Sequence, residues 1–261
     1  MSLRIVVCVK YVPDATGDRH FAEDLTTDRD AVDGLLSELD EYAVEQALQI
    51  AENADDAEVT VVTVGPEDAT DALRKALSMG ADKGVHVEDD DLHGTDVFGT
   101  SLVLAKAIEH VGYDVVVCGM ASTDGTMGVL PAILAERLGV PQVTLLTEVS
   151  VGDGKVTGRR EGDAASEQVE AALPAVVSVT DRSGEARYPS FKGIMAAKKK
   201  PVETLDLEDL ELEAEQVGLE GAWTAVESAT ARPARTAGEI VTDEGEGAKQ
   251  LAAFLAERKF I

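Results

Sequence analysis

The first 150 residues alternate short apolar runs with amphipathic stretches, and this pattern constrains the fold more than any other feature of the chain. Ile5 to Val9, Glu58 to Val64, Val85 to Val87, Val115 to Cys118 and Val143 to Glu148 read as strands. Between them, Leu39 to Ala51 sets Leu39, Tyr42, Ala43, Ala47 and Ile50 at spacings of three and four, which predicts a helix. Further helices are predicted over Ala69 to Met79, ending at Gly80, over Val97 to Val111, and over Val129 to Leu138, ending at Gly139. Strand and helix in alternation predict a parallel α/β sheet. Asp14 to Asp33 is polar and loop-like.

From Ser150 the texture changes. VSVGDGKVTGRREGD and SEQVEAALPAVVSVTD look like paired strands separated by turn residues. After Pro201 the chain is acidic and weakly periodic as far as Ala222. Residues 231–241 are loop-like, and Glu244 to Arg258 has helical spacing. A length of 261 residues allows one large α/β domain with a tail, or two small domains. The reading adopted is an α/β domain over 1–200, which includes the 182–200 segment, and a C-terminal arm over 201–261. The arm buries little by itself, so it is expected to wrap onto this domain or onto another subunit.

With 50 Asp and Glu against 23 Lys and Arg, the net charge is -27, which disfavours nucleic acid as a partner. The acids are spread along the chain, as in salt-adapted proteins whose surface carboxylates are screened at high ionic strength. No apolar run approaches the roughly 18 residues of a membrane span. The N-terminus has no leader-like pattern, so a cytoplasmic location is expected. Cys8 and Cys118 sit in apolar runs and read as buried small hydrophobes, not as a disulfide. The four histidines, at 20, 86, 93 and 110, have no ligand spacing, and no metal is expected.

Two segments stand out chemically. One is basic: Arg182 to Lys200 holds six of the Lys and Arg and a single acid, Glu185. Such an inversion of sign suggests a contact surface or ligands for a negative partner; the plainer reading is a solvated Lys-rich helix. The other segment is Asp114 to Gly139, where a strand ends in two glycines and three hydroxyl residues before a helix. Gly119 and Gly125 permit close backbone approach, while Ser122, Thr123 and Thr126 offer hydroxyl donors. Exposed N–H groups at a helix start favour an anion. Asp124 stands against this, because its charge opposes phosphate unless it faces away or caps the helix. The loop is neither a Walker P-loop nor GxGxxG.

Together the motifs resemble the electron transfer flavoprotein β-subunit family. They are VCVKYVPD, SELDEYAVEQAL, ALRKALSMGADKGVHV, GMASTDGTMGVLPAILAERLGVPQVT, LPAVVSVTD, RYPSFKGIMAAKKKP and ARPARTAGEIV. The resemblance implies an adenine nucleotide α-hydrolase-like (Rossmann-like) fold and a heterodimer with an α-subunit. It implies AMP on this chain and FAD shared with, and mainly on, the α-subunit. Electrons would come from acyl-CoA and related dehydrogenases and pass to a quinone oxidoreductase. The AMP pocket would use Cys8, Ser37, Glu38, Leu39, Asp40, Val64, Gly119, Met120, Ala121, Ser122, Thr123, Asp124, Gly125 and Thr126. Dehydrogenases would dock on Tyr188, Pro189, Ser190, Phe191, Lys192, Gly193 and Ile194, with Phe191 as apolar anchor; packing of Phe191 on its own domain is the plainer alternative. Ser37 replaces a frequent Asn, and Met127-Gly128 stands where many members have a Gln. A bifurcating relative would carry a second FAD in place of AMP. No acid–base catalytic residue is expected, because redox chemistry belongs to the flavin. A ligase or pyrophosphatase of this fold would need a Ser/Gly-rich loop in place of KYVPDATG; a stand-alone nucleotide sensor would not need the basic segment or the long tail.

Overall fold

The computed structural model describes residues 2–235, 238 and 240–261. The chain divides into two units, 1–227 and 228–261. In the first, β1 (Leu3–Cys8) leads into an antiparallel ribbon of β2 (Tyr11–Pro13) and β3 (Gly34–Leu36), whose connection is the polar 14–33 segment. Then follow α1 (Glu38–Glu52), β4 (Ala57–Val64), α2 (Thr70–Met79), β5 (Lys83–Val87), α3 (Val97–Val111), β6 (Val115–Gly119) and α4 (Leu130–Leu138). After these come β7 (Gln142–Gly152), β8 (Lys155–Glu161), β9 (Ser166–Ala172), β10 (Ala175–Val179), α5 (Phe191–Ala197), β11 (Val202–Leu205) and the short α6 (Gly218–Gly221).

Nine strands form one sheet in the order β11-β5-β4-β1-β6-β10-β7-β8-β9. From β11 to β7 every pairing is parallel, as in Val7 beside Val61 on one side and Val117 on the other. β7, β8 and β9 pair antiparallel. The sheet is therefore large and mostly parallel, a Rossmann-like α/β arrangement. Alternate residues of the central strands feed two cores, as a two-sided sheet requires. Ile5, Val7, Val115 and Val117 pack with Ala43, Val44, Leu73 and Leu77 of α1 and α2. Val6, Cys8, Val116 and Cys118 pack with Val103, Ile108 and Leu134 of α3 and α4.

Two sequence expectations change. The strand predicted over Val143 to Glu148 continues to Gly152, because an irregularity between Leu146 and Glu148 lets β7 leave its parallel partner and enter the hairpin with β8. The compact unit also runs past residue 200 to Glu227. β11 pairs with β5, and Leu205, Leu207, Leu210, Leu212 and Val217 are buried in the core beneath α3. The acidic residues between these leucines hide that burial in the sequence.

The second unit contains α7 (Gly247–Glu257), none of whose residues is buried; Leu251, Phe254, Phe260 and Ile261 are exposed. The loop reading of 231–241 falls partly on Thr236, Ala237 and Glu239, which lie outside the described residues. Among the described residues no helix is long and apolar enough to cross a membrane, and no three His, Cys, Asp or Glu are grouped to hold a metal ion.

Candidate functional site

The strand order reverses around β1: the chain moves to β4 and β5 on one side, then crosses back to β6 on the other. In open α/β sheets, ligands bind at the carboxyl ends of strands at such a point. Here those ends carry Cys8, Gly119 and the 120–126 loop. α1 starts beside them, with Ser37 at its N-cap. Gly119 is required by close approach: a Cβ there would lie 2.5 Å from Asp40 Oδ1 and 2.8 Å from the Leu39 carbonyl. The structure thus brings Leu39 and Asp40 against the start of the loop, while the Ser37 N–H donates to the Lys10 carbonyl at 2.9 Å.

Asp40 is buried and its Oδ2 accepts from the Lys10 backbone N–H at 2.9 Å. Burial pushes its carboxyl up to about 7, against the opposing pull of Lys10 and the Gly119 backbone N–H. Cys8 and Cys118 are buried, unbridged thiols below this floor. A hydrogen bond with Cys8 and burial push the Cys118 thiol up, so it stays protonated. The hydroxyl of Ser37 is fully buried without a hydrogen-bond partner, an unusual situation for a polar group.

Asp124 neither faces away nor caps a helix. Its side chain is 4% exposed and takes Lys10 Nζ on Oδ1 at 2.9 Å and Arg29 Nη2 on Oδ2 at 3.0 Å. Its own loop also binds it, through the Gly125 N–H at 2.6 Å and the Ser122 hydroxyl. Burial would raise its pKa, but Lys10 and these hydrogen bonds overcome burial and hold the carboxyl well below the usual carboxylate range. Arg19 Nη1 donates to the Thr123 carbonyl at 2.8 Å. Met120, Ala121, Ser122 and Thr123 are partly buried, Gly125 and Thr126 are exposed, and Thr126 turns the chain at a φ of 53°. Glu38 is exposed and Val64 packs against the α3 and α4 core, so neither side chain joins the loop's hydrogen-bond network.

Lys10, Arg19 and Arg29 were missed by sequence reasoning. Lys10 has a weak signal, two residues beyond Cys8 at the exit of β1. Arg19 and Arg29 are concealed in a segment that reads as acidic loop.

The basic segment separates into two groups. Arg187 is internal: Nε donates to Glu45 at 2.7 Å and Nη1 to Glu52 at 2.6 Å, with Nη2 reaching both carboxylates. Gln46 Nε2 donates to the Ser183 carbonyl at 2.8 Å. Lys200 is also internal, its Nζ donating to the Leu77, Gly80 and Ala81 carbonyls at the end of α2. Between these anchors Tyr188 is 94% exposed, Phe191 81%, and Ile194 and Met195 about half. Phe191 therefore does not pack on its own domain. Ser190 caps α5 by accepting from the Gly193 N–H at 3.0 Å, while Pro189 and Gly193 are partly buried and Lys192 is exposed.

A mostly parallel sheet, a glycine-hydroxyl loop at its switch point and an exposed aromatic face define the class, a Rossmann-like α/β protein. The sequence model of the electron transfer flavoprotein domain matches residues 24–210. The chain is 52% identical to the electron transfer flavoprotein subunit beta of Mycobacterium tuberculosis H37Rv, covering 98% of this chain and 99% of that protein. It is 39% identical to the subunit of the same name from Syntrophomonas wolfei, over 78% and 80%. It is 33% identical to the caffeyl-CoA reductase-Etf complex subunit CarD of Acetobacterium woodii, over 99% and 100%. The chain belongs to the electron transfer flavoprotein β-subunit family, and its role is in electron transfer.

Proposed function

We propose that this chain is the β-subunit of a heterodimeric electron transfer flavoprotein, holding an adenine nucleotide, AMP, at the 119–126 loop. The observation that carries this is the buried, unpartnered Ser37 hydroxyl at the N-cap of α1, the helix whose first turn meets a loop of backbone and hydroxyl donors at the switch point. A buried polar group without a partner is costly unless a ligand or water completes it. Backbone donors and small hydroxyls suit a phosphate, and the tight fit of Gly119 against α1 fixes the base of the loop.

FAD lies mainly on the α-subunit in this reading, and when bound it supplies the redox chemistry. The residues of this chain bind, orient and dock. The exposed Tyr188, Phe191 and Ile194 receive acyl-CoA and related dehydrogenases, and the assembled protein delivers electrons to a quinone oxidoreductase. Apolar anchors ringed by polar groups carry much of an interface's energy, and here Ser190 and Lys192 flank Phe191. The 228–261 unit packs on the α-subunit: α7 buries none of its residues alone, which accords with an element completed by a partner.

The test is co-expression with an α-subunit, followed by acid release and quantification of AMP and FAD per heterodimer. One of each is expected. Two FAD and no AMP would assign the loop to a second flavin nucleotide, and no heterodimer or flavin would overturn the proposal.

A further inference from the structure

We propose that Lys10 and Arg29 bind the phosphate of the nucleotide and that Asp124 is the residue that positions them. This rests on the nucleotide reading of the 119–126 loop and adds to it the charged contacts that the loop itself lacks.

In a chain of net charge -27, a site for an anion requires local cations. Three converge on this loop from two different segments: Lys10 from the exit of β1, and Arg19 and Arg29 from the 14–33 connection. The acid they surround, Asp124, is the one that the sequence sets against phosphate. Its burial changes that reading. Both carboxylate oxygens are occupied, one by Lys10 and one by Arg29, and Gly125 and Ser122 complete the set. A carboxylate so engaged projects little field outward and instead holds two long side chains in one geometry.

The donor inventory leaves capacity for a ligand. Lys10 has three N–H donors, of which Asp124 takes one. Arg29 has five, of which Asp124 and the Tyr11 carbonyl take one each. Their side chains are 40% and 32% exposed, so the remaining donors reach solvent. The hypothetical Cβ of Gly125 lies 3.9 Å from Lys10 Nζ, which puts the ammonium against the loop backbone. Ser37, buried and unpartnered on the α1 side, is an independent sign that a polar ligand completes this place. The chemistry recognised is a phosphate carried by an adenine nucleotide, common to AMP and to the diphosphate of FAD.

The test is equilibrium dialysis of AMP, FAD and adenosine against the purified heterodimer, stripped of its exchangeable nucleotide, at low and molar salt. The wild type is expected to bind AMP with an affinity that falls with salt, and adenosine more weakly with little salt dependence. Lys10→Met and Arg29→Met should each lower AMP affinity at least tenfold, leave adenosine unchanged and flatten the salt dependence. Asp124→Asn should lower AMP affinity as well, although it removes a negative charge. A rise in AMP affinity for Asp124→Asn would show that Asp124 merely opposes the ligand and would overturn the positioning role. Unchanged AMP affinity in Lys10→Met and Arg29→Met would overturn the assignment of the cations while leaving the nucleotide reading intact. A wild type that binds neither AMP nor FAD would overturn both. If FAD binds in place of AMP, the same variants should weaken FAD. Should Asp124→Asn fail to fold, the two cation variants decide the cations, and Asp124→Glu, which keeps the charge but displaces the carboxylate, decides the positioning: lowered AMP affinity is expected, and unchanged affinity would overturn that role.

Discussion

Replacing Arg187 with Met should loosen the aromatic face while preserving the apolar stem of the side chain. Arg187 donates to Glu45, whose side chain is 7% exposed, and to Glu52, which is 59% exposed. The Glu52 half faces solvent, where such pairs contribute about 0–1 kcal/mol. Breaking a fully buried pair by removing one partner costs about 3–5 kcal/mol, but Arg187 is a third exposed and Glu45 keeps donors from Gln49 and the residue 187 backbone, so about 2 kcal/mol is expected. For a domain of this size that corresponds to a fall of roughly 4–8 °C in Tm. Burial raises the Glu45 pKa, but the Arg187 bonds outweigh it and leave Glu45 depressed; Glu52 is depressed chiefly by its Arg187 hydrogen bond. Carboxylates with depressed pKa contribute stability above their ordinary value of 4.5 and lose it as pH falls through the folded value. The gap between wild type and variant should therefore be full at neutral pH and close in acid. Calorimetry across pH and amide exchange at 191–197 measure both effects. Arg187→Met with Glu45→Gln should recover part of the loss, because the stranded carboxylate is gone. An unchanged Tm at neutral pH with unchanged exchange protection at 191–197 would refute the reasoning.

Gly119→Ala should cost about 1–3 kcal/mol by driving a methyl against Asp40 and Leu39, seen as a lowered Tm together with weakened nucleotide retention. Asp40 has its pKa raised to about 7, so between its ordinary value near 3.8 and 7 the unfolded chain ionises first and stability falls as pH rises. Asp40→Asn should flatten that slope in thermal melts from pH 4 to 8. Phe191→Ala should weaken dehydrogenase docking by about thirtyfold, a loss of roughly 2 kcal/mol. In molar salt Lys198→Ala should do far less, and equal losses from the two in a binding titration would count against an apolar anchor.

The α3 helix illustrates what the sequence makes legible. Val97 to Val111 is both predicted and observed, because Asp96 caps its start and Gly112 ends it, and both signals are local. β6 and β10 are legible because strands buried on both faces are nearly all apolar, with Ser178 the one polar side chain in the two. The continuation of the domain to Glu227 was not legible, since the buried leucines from 205 to 212 alternate with acids and match neither helix nor strand period for long. Within the candidate site, the loop glycines and hydroxyls could be read from composition, whereas the partners of Asp124 could not. Lys10 and Arg29 lie 114 and 95 residues away in sequence. In the basic segment nothing local separates Arg187 and Lys200, which are consumed internally, from Lys198 and Lys199, which stay exposed.

α1 meets the 119–126 loop with its first turn and clasps the 183–187 segment with Glu45, Gln46 and Glu52 further along. Each added residue in a helix rotates everything after it by about 100°. One insertion between Asp40 and Glu45 would keep the loop contact and swing the clasp away from Arg187, while one deletion would swing it the other way. The helix can therefore drift in composition but not in length, and its phase is the ruler that keeps the 119–126 loop and the exposed aromatic face in step.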